Sequence, residues 1–165
     1  MPRKNKSSNK GIIKRGFTRK KKSTGKIRAN KTLVDGIQFK SSLEAFTYRK
    51  LKEAKIQFEY EPESYTILEG FVYPEQTWES VGKRADLENK ELKKVLPITY
   101  TPDFVSKDRT WYIECKGFAN ERFPYVWKMF KKKMASENVT PALFVPKNQK
   151  QVLFCIEQIQ KTFNC

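Results

Sequence analysis

Histidine is absent from this chain of 165 residues. That absence removes Ser-His-Asp and Cys-His hydrolases, His-ligated metallonucleases and most zinc enzymes, all of which need an imidazole. Cysteine is scarce. Cys115, Cys155 and Cys165 are widely spaced and include no CxxC pair, which argues against a disulfide framework or a zinc ribbon. Reduced thiols in a cytoplasm are the simpler expectation. No run approaches the roughly 18 consecutive apolar residues of a membrane span. No apolar segment follows the basic N-terminus as it would in a secretory signal. A cytoplasmic protein with no membrane partner is therefore expected.

Acidic residues are missing from one region in particular. Residues 1–31 hold thirteen Lys or Arg and no Asp or Glu, so most of the net charge of +16 sits there. The remainder carries 21 basic against 18 acidic residues, a surplus of only +3. Few apolar residues interrupt the basic stretch, so it cannot bury enough surface to offset the entropy of ordering, and a disordered arm is expected. A polyanion fits such an arm through counterion release, with Arg15, Arg19, Lys20, Lys21 and Lys22 as candidate phosphate contacts. A tail that merely aids solubility, or one that binds an anionic membrane surface, is the bland alternative. The organisation expected is an arm over 1–31 and one domain over 32–165, with no internal repeat.

What is present patterns as an α/β domain. Ser41 and Ser42 are cap candidates for a helix from about Ser42 to Lys55, with Leu43, Phe46, Tyr48 and Leu51 spaced for one face. The stretch 56–61 alternates Ile56, Phe58 and Tyr60 against Gln57, Glu59 and Glu61, which reads as a strand ended by Pro62. YTILEGFVYPEQ suggests strand, Gly turn and strand, and residues 79–95 read as a long, partly mobile loop. ITYTPDFVS reads as a strand, KDRT as a turn and TWYIECKG as a second strand. A helix with Phe123, Trp127, Phe130 and Met134 at helical spacing follows, then PALFVP as a short strand. A last amphipathic helix carries Val152, Cys155, Ile156, Ile159 and Phe163 on one side. The order implies a mixed sheet flanked by helices.

The chemistry concentrates on two strands. Side chains alternate along WYIECKG, so Trp111, Ile113 and Cys115 face a core while Tyr112, Glu114 and Lys116 face the other way. Gly117 ends the strand and lets the backbone turn. A short hairpin brings Asp103 alongside, giving the pattern PD-x10-ExK. Two carboxylates suit Mg²⁺ or Mn²⁺, hard cations that prefer oxygen. Such a metal polarises a phosphate and acidifies a bound water, and a lysine beside it can stabilise developing negative charge. Glu44 on the first helix can complete the metal site or hold its surroundings. Taken alone the pattern is weak, since such residues also arise on a solvated sheet face. The surrounding hydrophobic alternation, the basic helix that follows and the missing histidine strengthen it.

On SSLEAFTYRKLKEAKIQFEYE, YTPDF and YIECKG, in that order, the chain resembles the PD-(D/E)xK nuclease superfamily. More narrowly it is similar to the phage endonuclease I type of Holliday-junction resolvase and related small phage nucleases. The resemblance covers most of 38–61 and 99–117. It implies a restriction-endonuclease-like fold, with Glu44, Asp103 and Glu114 as metal-binding carboxylates and Lys116 as the catalytic lysine. It also implies a dimer that shares elements between subunits and cuts branched DNA, working in a host-cell cytoplasm if phage-encoded. Residues 63–98 are longer than the matching linker of those resolvases, which bears on the shared-dimer geometry more than on the chemistry.

Secondary candidates carry two readings each. Lys128, Lys131, Lys132 and Lys133 either contact phosphates or form the solvated face of a helix. Glu121 is an extra metal ligand or a surface charge near a helix start. Tyr112 contacts substrate or packs. Cys115 faces the core with no activating base and is no nucleophile. Two rival functions stay open beside the resolvase. One is a nuclease of the same class acting on linear DNA in repair or restriction. The other is a non-catalytic basic protein that only binds nucleic acid.

Overall fold

A computed structural model describes residues 31–82, 86–117 and 120–163. The expected basic arm, with Arg15, Arg19, Lys20, Lys21 and Lys22, lies outside the described residues except for its last position, as does Cys165.

The described chain opens with a hairpin that the sequence reading passed over, β1 (Thr32–Val34) and β2 (Ile37–Phe39). Its two-residue turn is Asp35-Gly36, with φ of 51° and 79°. Positive φ at both positions is the turn whose twist matches paired strands, and Asp-Gly is a favoured dipeptide for it. Asp35 then accepts hydrogen bonds from Lys52 at 2.6 Å and Tyr48 at 3.3 Å, which ties the hairpin to the first helix.

That helix, α1, runs over Ser42–Glu53. Ser41 caps it by accepting the Glu44 N–H, as its residue type predicts. Its buried face differs from expectation. Glu44, Ala45, Thr47, Tyr48 and Leu51 are buried, while Leu43 and Phe46 are only half-buried. This rotation buries Ala45 and Thr47 and turns a carboxylate inward. β3 (Phe58–Tyr60) follows.

The main sheet has four strands in the order β12-β11-β10-β3. β10 (Phe104–Ser106) pairs antiparallel with β3 and with β11 (Trp111–Ile113), and β12 (Ala142–Phe144) runs parallel to β11. The fold is therefore α/β with a mixed sheet and three helices, as expected. Alternation separates its two faces. Phe104, Trp111, Ile113 and Cys115 pack with α1 and with α3 (Gln149–Phe163), which buries Val152, Cys155, Ile156 and Ile159. Val105 and Tyr112 pack on the opposite side under α2 (Phe123–Ser136), through Val126, Phe130 and Met134. Phe104 has no exposed surface and meets the rings of Phe39, Phe58 and Tyr60. Burying one such ring contributes about 1.5–3 kcal/mol.

Three expectations are corrected. ITYTPDFVS is not one strand. It is β9 (Ile98–Tyr100) and β10, broken at Thr101-Pro102-Asp103, where proline supplies no N–H to a ladder. YTILEGFVYPEQ is not a local hairpin, and 79–95 is not a loop. β4 (Tyr65–Leu68) pairs with β9, β5 (Phe71–Val72) with β8 (Lys94–Val95), and β6 (Trp78–Ser80) with β7 (Leu87–Asn89). These three nested antiparallel ladders make one long two-stranded ribbon. Gly70 permits a close approach within it, since a Cβ there would lie 3.0 Å from the Val95 carbonyl.

Candidate active site

Glu44, Asp103, Glu114 and Lys116 arrive from three separate segments and line one cleft of about 730 Å³. The β10–β11 register explains half of this. Phe104 stands opposite Ile113, so one step onward Asp103 meets Glu114. Beyond β11 the chain stays extended, because the Glu114 and Lys116 N–H groups donate to the Phe144 and Pro146 carbonyls at 2.9 and 3.0 Å. Gly117 has no left-handed backbone and leaves room for a Cβ, so the turn expected of it does not require glycine.

The three carboxylates are nearly sealed, at 5%, 6% and 3% exposure for Glu44, Asp103 and Glu114. Buried charge demands partners. Glu44 accepts from the Ser41 hydroxyl at 2.7 Å, the Tyr60 hydroxyl at 2.8 Å and the Lys40 N–H at 3.1 Å. Glu114 accepts from the Tyr100 hydroxyl at 2.7 Å through Oε2, and its Oε1 lies 2.6 Å from Lys116 Nζ. Asp103 accepts the Cys115 N–H at 2.7 Å through Oδ2. Its Oδ1 has no hydrogen-bond partner among the described residues. Since no fully buried side-chain oxygen there lacks a partner, Oδ1 opens to the cleft.

The electrostatics follow from this crowding. Burial, then the charges of Glu114 and Glu44, push the Asp103 carboxyl well above the usual carboxylate range, against the Cys115 N–H and Lys116. Burial opposes charge on Lys116, but Glu114, Asp103 and Glu44 outweigh it and hold the ammonium above the ordinary lysine value. Lys116 therefore keeps its proton at neutral pH. Its Nζ also lies 5.1 Å from the Phe123 ring centre. Burial, and then the nearby Glu114 charge, keep the Tyr100 hydroxyl protonated, so it remains a donor.

As a donor set, three buried carboxylates against one ammonium suit a hard divalent cation. In the described arrangement, however, no three His, Cys, Asp or Glu side chains among the described residues converge as a metal cage. Lys116 and Tyr100 hold the Glu114 oxygens, and Ser41, Tyr60 and the Lys40 N–H hold those of Glu44, leaving Asp103 Oδ1 as the open donor.

The structure also supplies residues that sequence reading missed. Lys40 and Glu61 form an ion pair in the cleft wall. Alternation predicts Glu61 on the polar side of a strand, but its φ of 45° takes it out of β3. FEYE carried that carboxylate in plain view, yet nothing local marked the bend. Alternation places Tyr60 with the apolar residues of its strand and nothing in the sequence marks Tyr100, and only the fold shows their hydroxyls on carboxylates.

Other candidates divide. Tyr112 is buried and shares a hydroxyl contact with Tyr65 at 3.0 Å, so it packs. Burial pushes the Cys115 thiol up, and its sulfur sits 3.2 Å from the Thr47 hydroxyl, consistent with an inert group. Glu121 is exposed and is not part of the cleft wall. Arg122 and Phe123, at the start of α2, do line the cleft. Lys128, Lys131 and Lys132 follow along that helix beyond it, with Lys131 over the Trp127 ring at 5.6 Å. Lys133 pairs with Glu137 at 2.6 Å. Phe123 and Trp127 are half-buried and stacked at 5.8 Å, while Phe130 is fully buried. No helix among the described residues is long and apolar enough to cross a membrane.

Residues 24–150 match the family model described as "Protein of unknown function (DUF1064)", and the chain belongs to that family. The match spans the whole of the main sheet, the ribbon and the four cleft residues. No curated protein and no solved structure matches the chain.

Proposed function

We propose that the cleft is the active centre of a metal-dependent DNA endonuclease of the PD-(D/E)xK type, on a restriction-endonuclease-like fold. The observation that carries this reading is the meeting of Glu44, Asp103, Glu114 and Lys116 in one cleft, from segments up to 72 positions apart in the chain. A solvated sheet face gives no reason for three carboxylates to be buried together, because like charges disfavour each other strongly there.

Asp103, Glu114 and Glu44 would hold Mg²⁺ or Mn²⁺. The chemistry such an ion would supply there is neutralisation of charge on the scissile phosphate and a lowered pKa for a water. Asp103 Oδ1 faces the cleft as the free oxygen donor. Tyr100 and Tyr60 orient Glu114 and Glu44, and Lys40 with Ser41 fixes Glu44 further. Lys116 keeps its proton, so it acts as a fixed positive charge toward the phosphate oxygens and not as the base. Hydrolysis would proceed in one step: a water oxygen bonds to phosphorus as the P–O bond to the leaving ester oxygen breaks, and the water's proton passes through solvent to that leaving oxygen.

Branched DNA such as a Holliday junction is the proposed substrate. A homodimer is the proposed assembly, because paired cuts across a junction call for two active sites. Lys128, Lys131, Lys132 and the basic arm are the proposed phosphate contacts, in a cytoplasmic setting.

The test is cleavage of a labelled four-way junction and of a matched linear duplex, with Mg²⁺, with EDTA, and with Glu114→Ala protein. Paired nicks confined to the junction, lost in both controls, are expected. Equal rates on both DNAs would keep the nuclease and remove the resolvase. Binding without any cleavage would leave only a nucleic-acid-binding protein.

A further inference from the structure

The ribbon over residues 65–100 carries a surface that catalysis does not use. Nine of the fourteen exposed large apolar side chains among the described residues lie between Leu68 and Leu96. A concentration of that kind marks a contact surface. Within it, Phe71, Tyr73 and Val95 wall a groove of about 390 Å³. The two rings are 47% and 43% exposed. Lys90, Lys93 and Lys94 edge the same groove, against a single acid, Glu79. Lys90 is paired with Glu88 at 2.8 Å, whereas Lys93 and Lys94 form no ion pair with the described residues.

Half-exposed aromatic rings beside unneutralised ammonium groups suit a chain of bases and phosphates. Stacking on aromatics is tolerant of sequence, and lysines track the backbone. A paired base has both faces covered by its neighbours, so the groove favours an unpaired one. Its volume falls within the roughly 300–1,000 Å³ of small-ligand clefts, room for a nucleobase and its phosphate. A second copy of this chain fits less well, because two-fold pairing of the groove with itself would set the same lysines against each other.

The groove is also connected to the cleft. Val95 precedes Tyr100 by five positions on one edge of the ribbon, at most about 17 Å of extended chain. Tyr100 donates to Glu114.

We propose that this groove holds a single-stranded DNA segment next to the cleavage site, with a base stacked on Phe71 and Tyr73 and its phosphates against Lys93 and Lys94. The inference rests on the nuclease reading of the cleft and supplies the feature of the substrate that the ribbon selects, an unpaired stretch.

The test uses the full chain in EDTA, with a fluorescent oligo-dT and a duplex of equal length as probes. Phe71→Ala/Tyr73→Ala should weaken oligo-dT binding by at least about fivefold while duplex binding is little changed. Lys93→Glu/Lys94→Glu should flatten the salt dependence for oligo-dT. With the unaltered protein, oligo-dT carrying 5-iodouracil should crosslink within residues 71–78 on irradiation, a readout independent of how the variants fold. Crosslinks confined to other regions, or equal losses on both probes, overturn the proposal. So does a wild-type dimer that Phe71→Ala/Tyr73→Ala converts to a monomer with oligo-dT binding intact, which would make a second copy the occupant. Cleavage in Mg²⁺ separates the two readings. A wild type that cuts DNA but crosslinks elsewhere loses only the groove. One that cuts nothing, yet loses oligo-dT in the aromatic variant, loses only the nuclease.

Discussion

The body and the ribbon of this molecule are built from the same kinds of residue and use them in opposite ways. In the body, Phe104, Trp111 and Phe130 are sealed between a sheet and a helix layer, while charge is drawn inward and held by hydroxyls and N–H groups. In the ribbon, Phe71, Tyr73 and Trp78 face outward and the charges lie at the edges. The difference is one of layers. A sheet covered on both faces can bury alternate residues from each strand. Among the described residues the two-stranded ribbon joins no larger sheet, and hairpins of that size are at best marginally stable alone. Rigidity therefore collects where the carboxylates are, and open apolar surface collects where a flexible polymer could be gripped.

The largest test of this contrast is Phe104→Ala. It should cost about 3–5 kcal/mol, measured by the urea midpoint. A much smaller loss would mean that the body is not the rigid half. Next comes Lys116→Met, which should lower DNA cleavage roughly 10²–10³-fold, as loss of one preorganised charge donor does, and should also lower the urea midpoint, because it leaves the buried Glu114 carboxylate without its ion-pair partner. Tyr100→Phe removes a buried hydroxyl from a carboxylate where the ribbon joins the body. A loss of roughly 1.5–3 kcal/mol is expected, and a neutral result would uncouple the two regions.

Asp103→Asn gives a pH-dependent effect of known sign. The folded-state pKa of Asp103 is raised above its unfolded value, chiefly by burial and by Glu114. Its contribution to stability is thus fully present below the unfolded pKa, about 4, and is lost as pH rises through the folded pKa. Without metal, Asp103→Asn should therefore melt above wild type by a margin that widens from acid toward neutral pH, while it abolishes cleavage. A margin that is flat with pH would mean the carboxyl is not strained. The smallest effect belongs to the ribbon. Trp78→Ala, 59% exposed, should shift stability by no more than about 0.5 kcal/mol, and a larger loss would reveal a hidden core there.

Much of the body is legible in the sequence because its signals are local. Alternation in TWYIECKG separates the core face from Glu114 and Lys116, and Ser41 announces the cap of α1. The short turn between β10 and β11 then leaves Asp103 little choice of neighbour. Asp35-Gly36 announced its hairpin as clearly and was passed over. The ribbon is different in kind. Tyr65 pairs with Tyr100, and the outer strands are two to three residues long and mostly exposed, too short to show a period. Neither periodicity nor a tight turn betrays pairings so distant. The supporting shell of the cleft is illegible for the same reason. Tyr60, Tyr100, Lys40 and Glu61 matter only once β3, β9 and α1 converge, and the φ of Glu61 is set by that convergence.

The parallel partnership of β11 with β12 has a consequence in time. Glu114 and Lys116 are held in line by the carbonyls of Phe144 and Pro146, thirty positions later in the chain. Contacts so distant in sequence form only after the intervening segment has been made. On a ribosome releasing roughly 5–20 residues per second, Asp103, Glu114 and Lys116 all emerge before the strand that aligns them. A nascent chain would carry Glu44, Asp103, Glu114 and Lys116 and still lack the strand that aligns them, so the cleft assembles only once its scaffold is complete.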